Sequence, residues 1–255
     1  MTTVDLVPDG APCWVDLTSS NVTRSLAFYS SVFGWTLAEP QGEFGGYFTF
    51  LKDAQPVAGA MQCTTDDVDV DVWSTYLHTP DAAETLARAI EHGASVTAPA
   101  AQIGELGTIA VITDSGGAAV RMWEPKEFTG FARSREPGSA VWFELYTRDY
   151  DRVVAFYRDV FNWDANVMSD TPEFRYSTLN NVDEVLAGIM DARSYLDAGV
   201  RPYWSVYFAV SDTDATIESA VRLGASVKSP ALDTEYGRMA ALIDPTGAEF
   251  RVMAS

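Results

Sequence analysis

The chain has 255 residues, 47% of them hydrophobic and 12% aromatic, enough apolar material for one large core or two ordinary ones and too much for a disordered chain. A formal net charge of −19 excludes nucleic acid and anionic membrane surfaces as partners, because their phosphates would be repelled. Two cysteines, Cys13 and Cys63, make no disulfide framework, and two histidines, His78 and His92, exclude a His-rich metal site or a catalytic histidine in each half of the chain.

The N-terminal stretch MTTVDLVPDGAPCWVDL has neither a basic start nor an apolar signal core, and no apolar run is long enough to span a bilayer, so a cytoplasmic protein is expected. A strand over about residues 13–18 leads into an amphipathic helix with Val22, Leu26, Phe28, Tyr29 and Phe33 at near-helical spacing. Ser20 or Asn21 suits its N-cap. Two short strands follow, YFTFL (47–51) and PVAGAM (56–61). A further strand, DVWSTYLHT (71–79), runs into the helix DAAETLARAIEHG (81–93), which Asp81 can cap and Gly93 can close. Two more strands complete a first domain over residues 10–125. Residues 126–139 carry Pro, Gly and charge with no sustained period and read as a linker.

The same order then recurs over residues 140–255. WVDLTSSNVTRSLAFYSSVFGW (14–35) matches WFELYTRDYDRVVAFYRDVFNW (142–163) without a gap, aligning Asp16 with Glu144, Phe28 with Phe156 and Trp35 with Trp163. VAGAM (57–61) matches LAGIM (186–190), VWSTYL (72–77) matches YWSVYF (203–208), and HGASV (92–96) matches LGASV (223–227). ITDSGGAAVRMW (112–123) matches IDPTGAEFRVM (243–253), and Asp149 suits the N-cap of the second copy's first helix. The expected fold class is therefore α+β: four βαβββ units forming two tandem domains.

NVTRSLAFYSSVFGW, DYDRVVAFYRDVFNW and IDPTGAEFRV resemble the signature segments of the vicinal-oxygen-chelate superfamily, the glyoxalase, bleomycin-resistance and dioxygenase type, and in particular its tandem two-domain bacterial members. The resemblance implies that paired βαβββ units curl into glyoxalase-like open barrels, each with a cup on its inner face. Metal-dependent members of the family carry His, Glu or Gln on the first strand of each unit and Glu on the last. Carried across, these positions fall here on Trp14 and Trp142, on Met61 or Gln62 and Met190 or Asp191, on Ser74 and Ser205, and on Arg121 and Arg251. An indole has no lone pair to give and a guanidinium repels a cation. No metal and no other cofactor is expected.

Strand alternation separates two faces. Cys13, Val15 and Leu17 oppose Trp14, Asp16 and Thr18, and Val141, Phe143 and Leu145 oppose Trp142, Glu144 and Tyr146. The apolar sets are expected under the helices and the mixed sets toward the cups. On the remaining strands Ser74, Tyr76, His78, Arg121 and Trp123 fall on the cup side in copy one, and Ser205, Tyr207 and Arg251 in copy two. Asp16 is placed to reach Arg121, and Glu144 to reach Arg251. One reading is an aromatic pocket with an anchored charge, binding a small aromatic or oxygenated molecule without a metal, as resistance or secondary-metabolism proteins do. A second is a metal-independent isomerase, lyase or cyclase in which Asp16 or Glu144 moves a proton and Arg121 or Arg251 steadies the anion. The bland alternative is an ion pair that fills the cup. Tyr47 and Tyr176 occupy matching third-strand positions and either flank the cup or serve as strand packing, the commoner role, and the loops GEFGGY (42–47) and TPEFRY (171–176) form either a lip or a turn. The protein is expected to be a monomer or a homodimer with a small-molecule ligand and neither nucleic acid nor membrane as partner.

Overall fold

The computed structural model describes residues 7–39, 46–64, 69–131, 136–181 and 184–254. Four βαβββ modules follow one another, as expected. The first holds β1 (Pro12–Ser19), α1 (Val22–Phe33), β2 (Thr36–Leu37), β3 (Phe48–Lys52) and β4 (Gln55–Gln62). The second holds β5 (Val72–His78), α2 (Ala82–Glu91), β6 (Ser95–Ile103), β7 (Gly107–Thr113) and β8 (Ala119–Pro125). The third holds β9 (Ala140–Thr147), α3 (Tyr150–Phe161), β10 (Ala165–Asp170), β11 (Arg175–Asn181) and β12 (Glu184–Asp191). The fourth holds β13 (Tyr203–Ala209), α4 (Thr213–Arg222), β14 (Ser226–Thr234), β15 (Gly237–Ile243) and β16 (Glu249–Ala254). The strands make two eight-stranded sheets, ordered β2-β3-β4-β1-β5-β8-β7-β6 and β10-β11-β12-β9-β13-β16-β15-β14.

In every module the first strand pairs in parallel with the last, and the helix makes the crossover between parallel strands that such pairing requires. α1 buries Val22, Leu26, Tyr29 and Phe33, one stripe at three- and four-residue spacing. It ends in the left-handed conformation at Gly34, and α3 ends the same way at Asn162. These two residue types tolerate that backbone best, which explains why they alternate at one repeat position.

Packing gathers the modules into two compact units. One comprises Met1–Cys13, Thr75–Gly130 and Phe143–Trp204, and the other Trp14–Ser74, Phe131–Trp142 and Ser205–Ser255. Each unit therefore joins one module from each half of the repeat. In the first, α2 packs on α3 around Tyr157, whose ring stacks on Phe161 at 5.5 Å. The Tyr157 hydroxyl accepts from Trp204 Nε1 at 3.0 Å and donates to Asp114 Oδ2 at 2.9 Å. In the second, α1 packs on α4, and Tyr29 accepts from Trp73 Nε1 at 2.9 Å amid Phe28, Phe33 and Phe250. Among the described residues no helix is long and apolar enough to cross a membrane.

Candidate functional site

The strand face that carries Glu144 is organised around its carboxylate. Parallel pairing sets Glu144 on β9 opposite Gly188 on β12, and Tyr146 opposite Met190. β11 lies beyond β12, so a β11 side chain reaches β9 only by passing over the strand between. Tyr176 does this. Its hydroxyl donates to Glu144 Oε1 at 2.8 Å, and a Cβ placed on Gly188 would lie 1.9 Å from the Tyr176 hydroxyl oxygen. Only a residue without a side chain lets the phenol through. Tyr146, two residues along β9, donates to Glu144 Oε2, and its ring stacks on Tyr203 with centroids 5.2 Å apart and planes 17° off parallel. Each carboxylate oxygen thus accepts one phenol hydrogen.

The first module builds the same device in the other unit. Asp16 on β1 sits opposite Gly59 on β4, and Thr18 opposite Met61. Tyr47 crosses Gly59, where a Cβ would lie 1.8 Å from its oxygen, and donates to Asp16 Oδ2 at 3.5 Å. Trp14 Nε1 donates to the Tyr47 hydroxyl at 2.8 Å. The Trp14 ring meets Phe131 at 5.5 Å.

The last strands carry the cations. Arg121 on β8 pairs with Tyr76 on β5, donates to its hydroxyl at 2.8 Å and lies over its ring at 5.2 Å. Arg251 on β16 pairs with Tyr207 on β13 and lies over its ring at 5.4 Å. It donates to Ser205 Oγ at 3.0 Å and to Glu249 Oε1 at 3.4 Å. Ser74, the counterpart of Ser205, is half-buried on β5. Trp123 donates its Nε1 to the Phe128 carbonyl at 2.8 Å. His78 Nδ1 lies 3.4 Å from Asp9 Oδ1, and burial depresses its imidazole below the usual range although Asp9 pulls the other way. Trp142, Met61 and Met190 are half-buried on their strands. Asp16 and Arg121 belong to different units, as do Glu144 and Arg251, and each has the partners just described within its own.

Strand alternation points to Asp16, Glu144 and the two arginines, and Tyr47 and Tyr176 are among the residues the sequence offers as flanks of the cup, but their passage over Gly59 and Gly188 to the carboxylates is not written in any one strand. The TPEFRY loop is a turn: Thr171 Oγ1 accepts the Phe174 N–H at 3.1 Å, and Phe174 stacks on Tyr176 at 5.6 Å. Most of GEFGGY lies outside the described residues. Both cysteines are free thiols, and burial pushes the Cys13 thiol far above the ordinary range, which leaves it unsuited to nucleophilic chemistry.

The side chains at the positions where the resemblance places metal ligands do not fit a divalent cation. Trp14 spends its one polar atom as a donor, and Arg121 and Arg251 are permanent cations. Gln62 is turned away toward α1, where its Oε1 accepts the Val22 N–H at 3.0 Å and its Nε2 donates to the Ser20 carbonyl at 2.9 Å. Asp191 accepts the Arg193 N–H at 3.1 Å and faces Arg175 at 3.9 Å. Among the described residues no three His, Cys, Asp or Glu side chains gather as a metal site would require.

Comparison with known proteins adds to this geometry. The profile of the Glyoxalase/Bleomycin resistance protein/Dioxygenase superfamily matches residues 13–122 and again residues 139–252. The protein named "Putative glyoxylase CFP32" from Mycobacterium tuberculosis is 33% identical, covering 96% of this chain and 94% of its own. "Anthracycline biosynthesis protein DauV" from Streptomyces sp. strain C5 is also 33% identical, over 96% of this chain and 93% of its own. The crystal structure of the Mn(II)-bound glyoxalase from Novosphingobium aromaticivorans superposes with a TM-score of 0.66 at 15% identity, over 97% of this chain and 82% of that one. At that identity the likeness shows a shared fold and no more. With its profile matched twice, across almost all of both repeats, the chain belongs to the glyoxalase/bleomycin resistance protein/dioxygenase superfamily.

Proposed function

We propose that the protein binds a small, flat, oxygenated aromatic molecule without a metal ion. The observation that carries this reading is the Glu144 cluster: a carboxylate held by two phenols beside a stacked tyrosine pair. Ring faces give stacking area, and the fixed carboxylate accepts a ligand hydroxyl, so one contact supplies area and the other orientation. Groups already hydrogen-bonded in the free protein lose little freedom on binding. The name of the Streptomyces relative points the same way, since anthracyclines are flat, hydroxylated polycyclic aromatics. Indole and guanidinium at the family's ligand positions support independence from metal.

Alizarin, a dihydroxyanthraquinone with strong visible absorbance, tests the reading directly. Titration is expected to give saturable binding in the micromolar range that is unchanged by EDTA. Absence of saturable binding, or binding that appears only with added Mn(II), overturns it.

A second reading rests on the burial of the carboxylates, with Asp16 at 0% and Glu144 at 8% exposure. A carboxylate withdrawn from water beside phenols is suited to proton transfer, and Arg121 or Arg251 to steadying an oxyanion, in an isomerase, lyase or cyclase. The two readings separate on turnover. Under the second, the wild-type protein converts a bound compound, followed by mass spectrometry, and Glu144→Gln abolishes the conversion; under the first, bound compound is recovered unchanged from the wild-type protein.

A further inference from the structure

We infer that two side-chain pairs, Val153 with Gly116 and Ser25 with Thr246, fix which module packs on which, so that α1 and α3 each refuse the turn offered by their own half of the chain. The inference stands apart from what the protein binds. Ser25 on α1 and Val153 on α3 hold one repeat position, as the ungapped match of 14–35 with 142–163 requires. Gly116 and Thr246 hold another, two residues after the aspartate of a tight turn. Asp114 Oδ1 accepts the N–H groups of Gly116 and Ala118 at 2.8 and 2.9 Å, and Asp244 Oδ1 those of Thr246 and Ala248 at 2.7 and 2.9 Å. Helix and turn of each pair lie in one unit, yet come from different halves of the repeat.

The two meetings are built differently. A Cβ on Gly116 would lie 2.4 Å from Val153 Cγ2 and 3.0 Å from Thr147 Oγ1. Val153 is fully buried and branched at Cβ, so it has little freedom to turn aside. Gly116 is outside the left-handed region, so space and not backbone excludes a side chain there. In the other unit the helix residue is a serine, and Thr246 uses the room. Its hydroxyl lies 3.3 Å from Ser25 Oγ and donates to Asp244 Oδ1 at 2.7 Å, while Ser25 Oγ lies 2.8 Å from Ser19 Oγ. The crossed combinations fail on volume. Val153 against Thr246 puts two branched side chains into one space, and Ser25 against Gly116 leaves a gap where its threonine partner should be. Contacts common to both units make no such distinction: Trp35 Nε1 donates to the Gly138 carbonyl at 2.7 Å, and Trp163 Nε1 to the Gly10 carbonyl at 2.9 Å.

Exchanging the residues in the full chain tests the assignment. Ser25→Val combined with Val153→Ser mismatches both units. This variant is expected to unfold at a urea midpoint lower by about 1 M and to recover less than half of its native tryptophan fluorescence on dilution from urea. Adding Thr246→Gly and Gly116→Thr matches both units again and is expected to restore midpoint and recovery. A wild-type midpoint and recovery in the first variant, or a folded fourfold variant no better than the first, overturns the inference. A milder cycle decides where the fourfold variant does not fold. Gly116→Ala is expected to lower the midpoint of the wild-type chain and to have less than half that effect beside Val153→Ala; equal effects in the two backgrounds overturn the inference.

Discussion

Gly188 and Gly59 are the smallest residues near the two carboxylates and decide how those carboxylates are held. Each leaves a gap through which a tyrosine two strands away reaches the first strand of its module. Alanine at position 188 has its methyl group 1.9 Å from the present place of the Tyr176 oxygen, so the phenol must swing away and Glu144 loses one donor. Gly188→Ala is therefore expected to cost about 1–3 kcal/mol of stability, the usual penalty for overpacking, and to weaken alizarin binding. Urea midpoints and the titration above check both. Alternation along a strand made Glu144, Asp16 and their neighbours legible in the sequence, because that pattern depends on one strand only. The crossing tyrosines depend on which strand lies between two others and on what it omits, and a strand read alone contains neither fact.

The helices were legible down to most of their ends. Asp81 accepts the Glu84 N–H at 2.8 Å, as its place before the helix suggests; Asp212, which the sequence reading does not single out, accepts the Ala215 N–H at 3.0 Å. Of the two residues suited to capping α1, Asn21 does so, accepting the Arg24 N–H at 3.1 Å, while Ser20 donates to Asp71. Asp149 holds the N-cap position of α3 without a side-chain cap bond, so the sequence located the helix start correctly and overstated its chemistry. Composition names a residue able to cap but not the rotamer it takes, and Asp149 lies 4.0 Å from Arg152 instead. Replacing Asp81 or Asp212 by alanine is expected to cost about 1 kcal/mol each. Asp149→Ala is expected to cost only a few tenths, since no cap bond is lost. Equal urea midpoints for all three variants would contradict the assignment.

At the scale of the whole chain, the repeat revealed four modules and their order, because kinship between segments is written in their residues. It did not reveal which modules share a core. α2 packs on α3 and α1 on α4, so each unit combines a module from either half, and that choice depends on helix faces meeting in space. Residues 10–125 expressed alone would have α1 without α4 and α2 without α3. The half-chain is expected to unfold at lower urea, with a broader transition, than the full chain. A sharp transition at the full-length midpoint would count against the interlocked cores.

The same interlocking sets a schedule for biosynthesis. The module from Trp14 to Ser74 leaves the ribosome long before Ser205–Ser255, the segment that completes its unit. At the usual 5–20 residues per second the wait is on the order of ten seconds, during which Tyr29 and Phe33 of α1 have Trp35 and Phe50 beside them but lack Phe250 and α4. A nascent chain in that state carries apolar surface still waiting for its cover, and the interval ends only when the final module emerges.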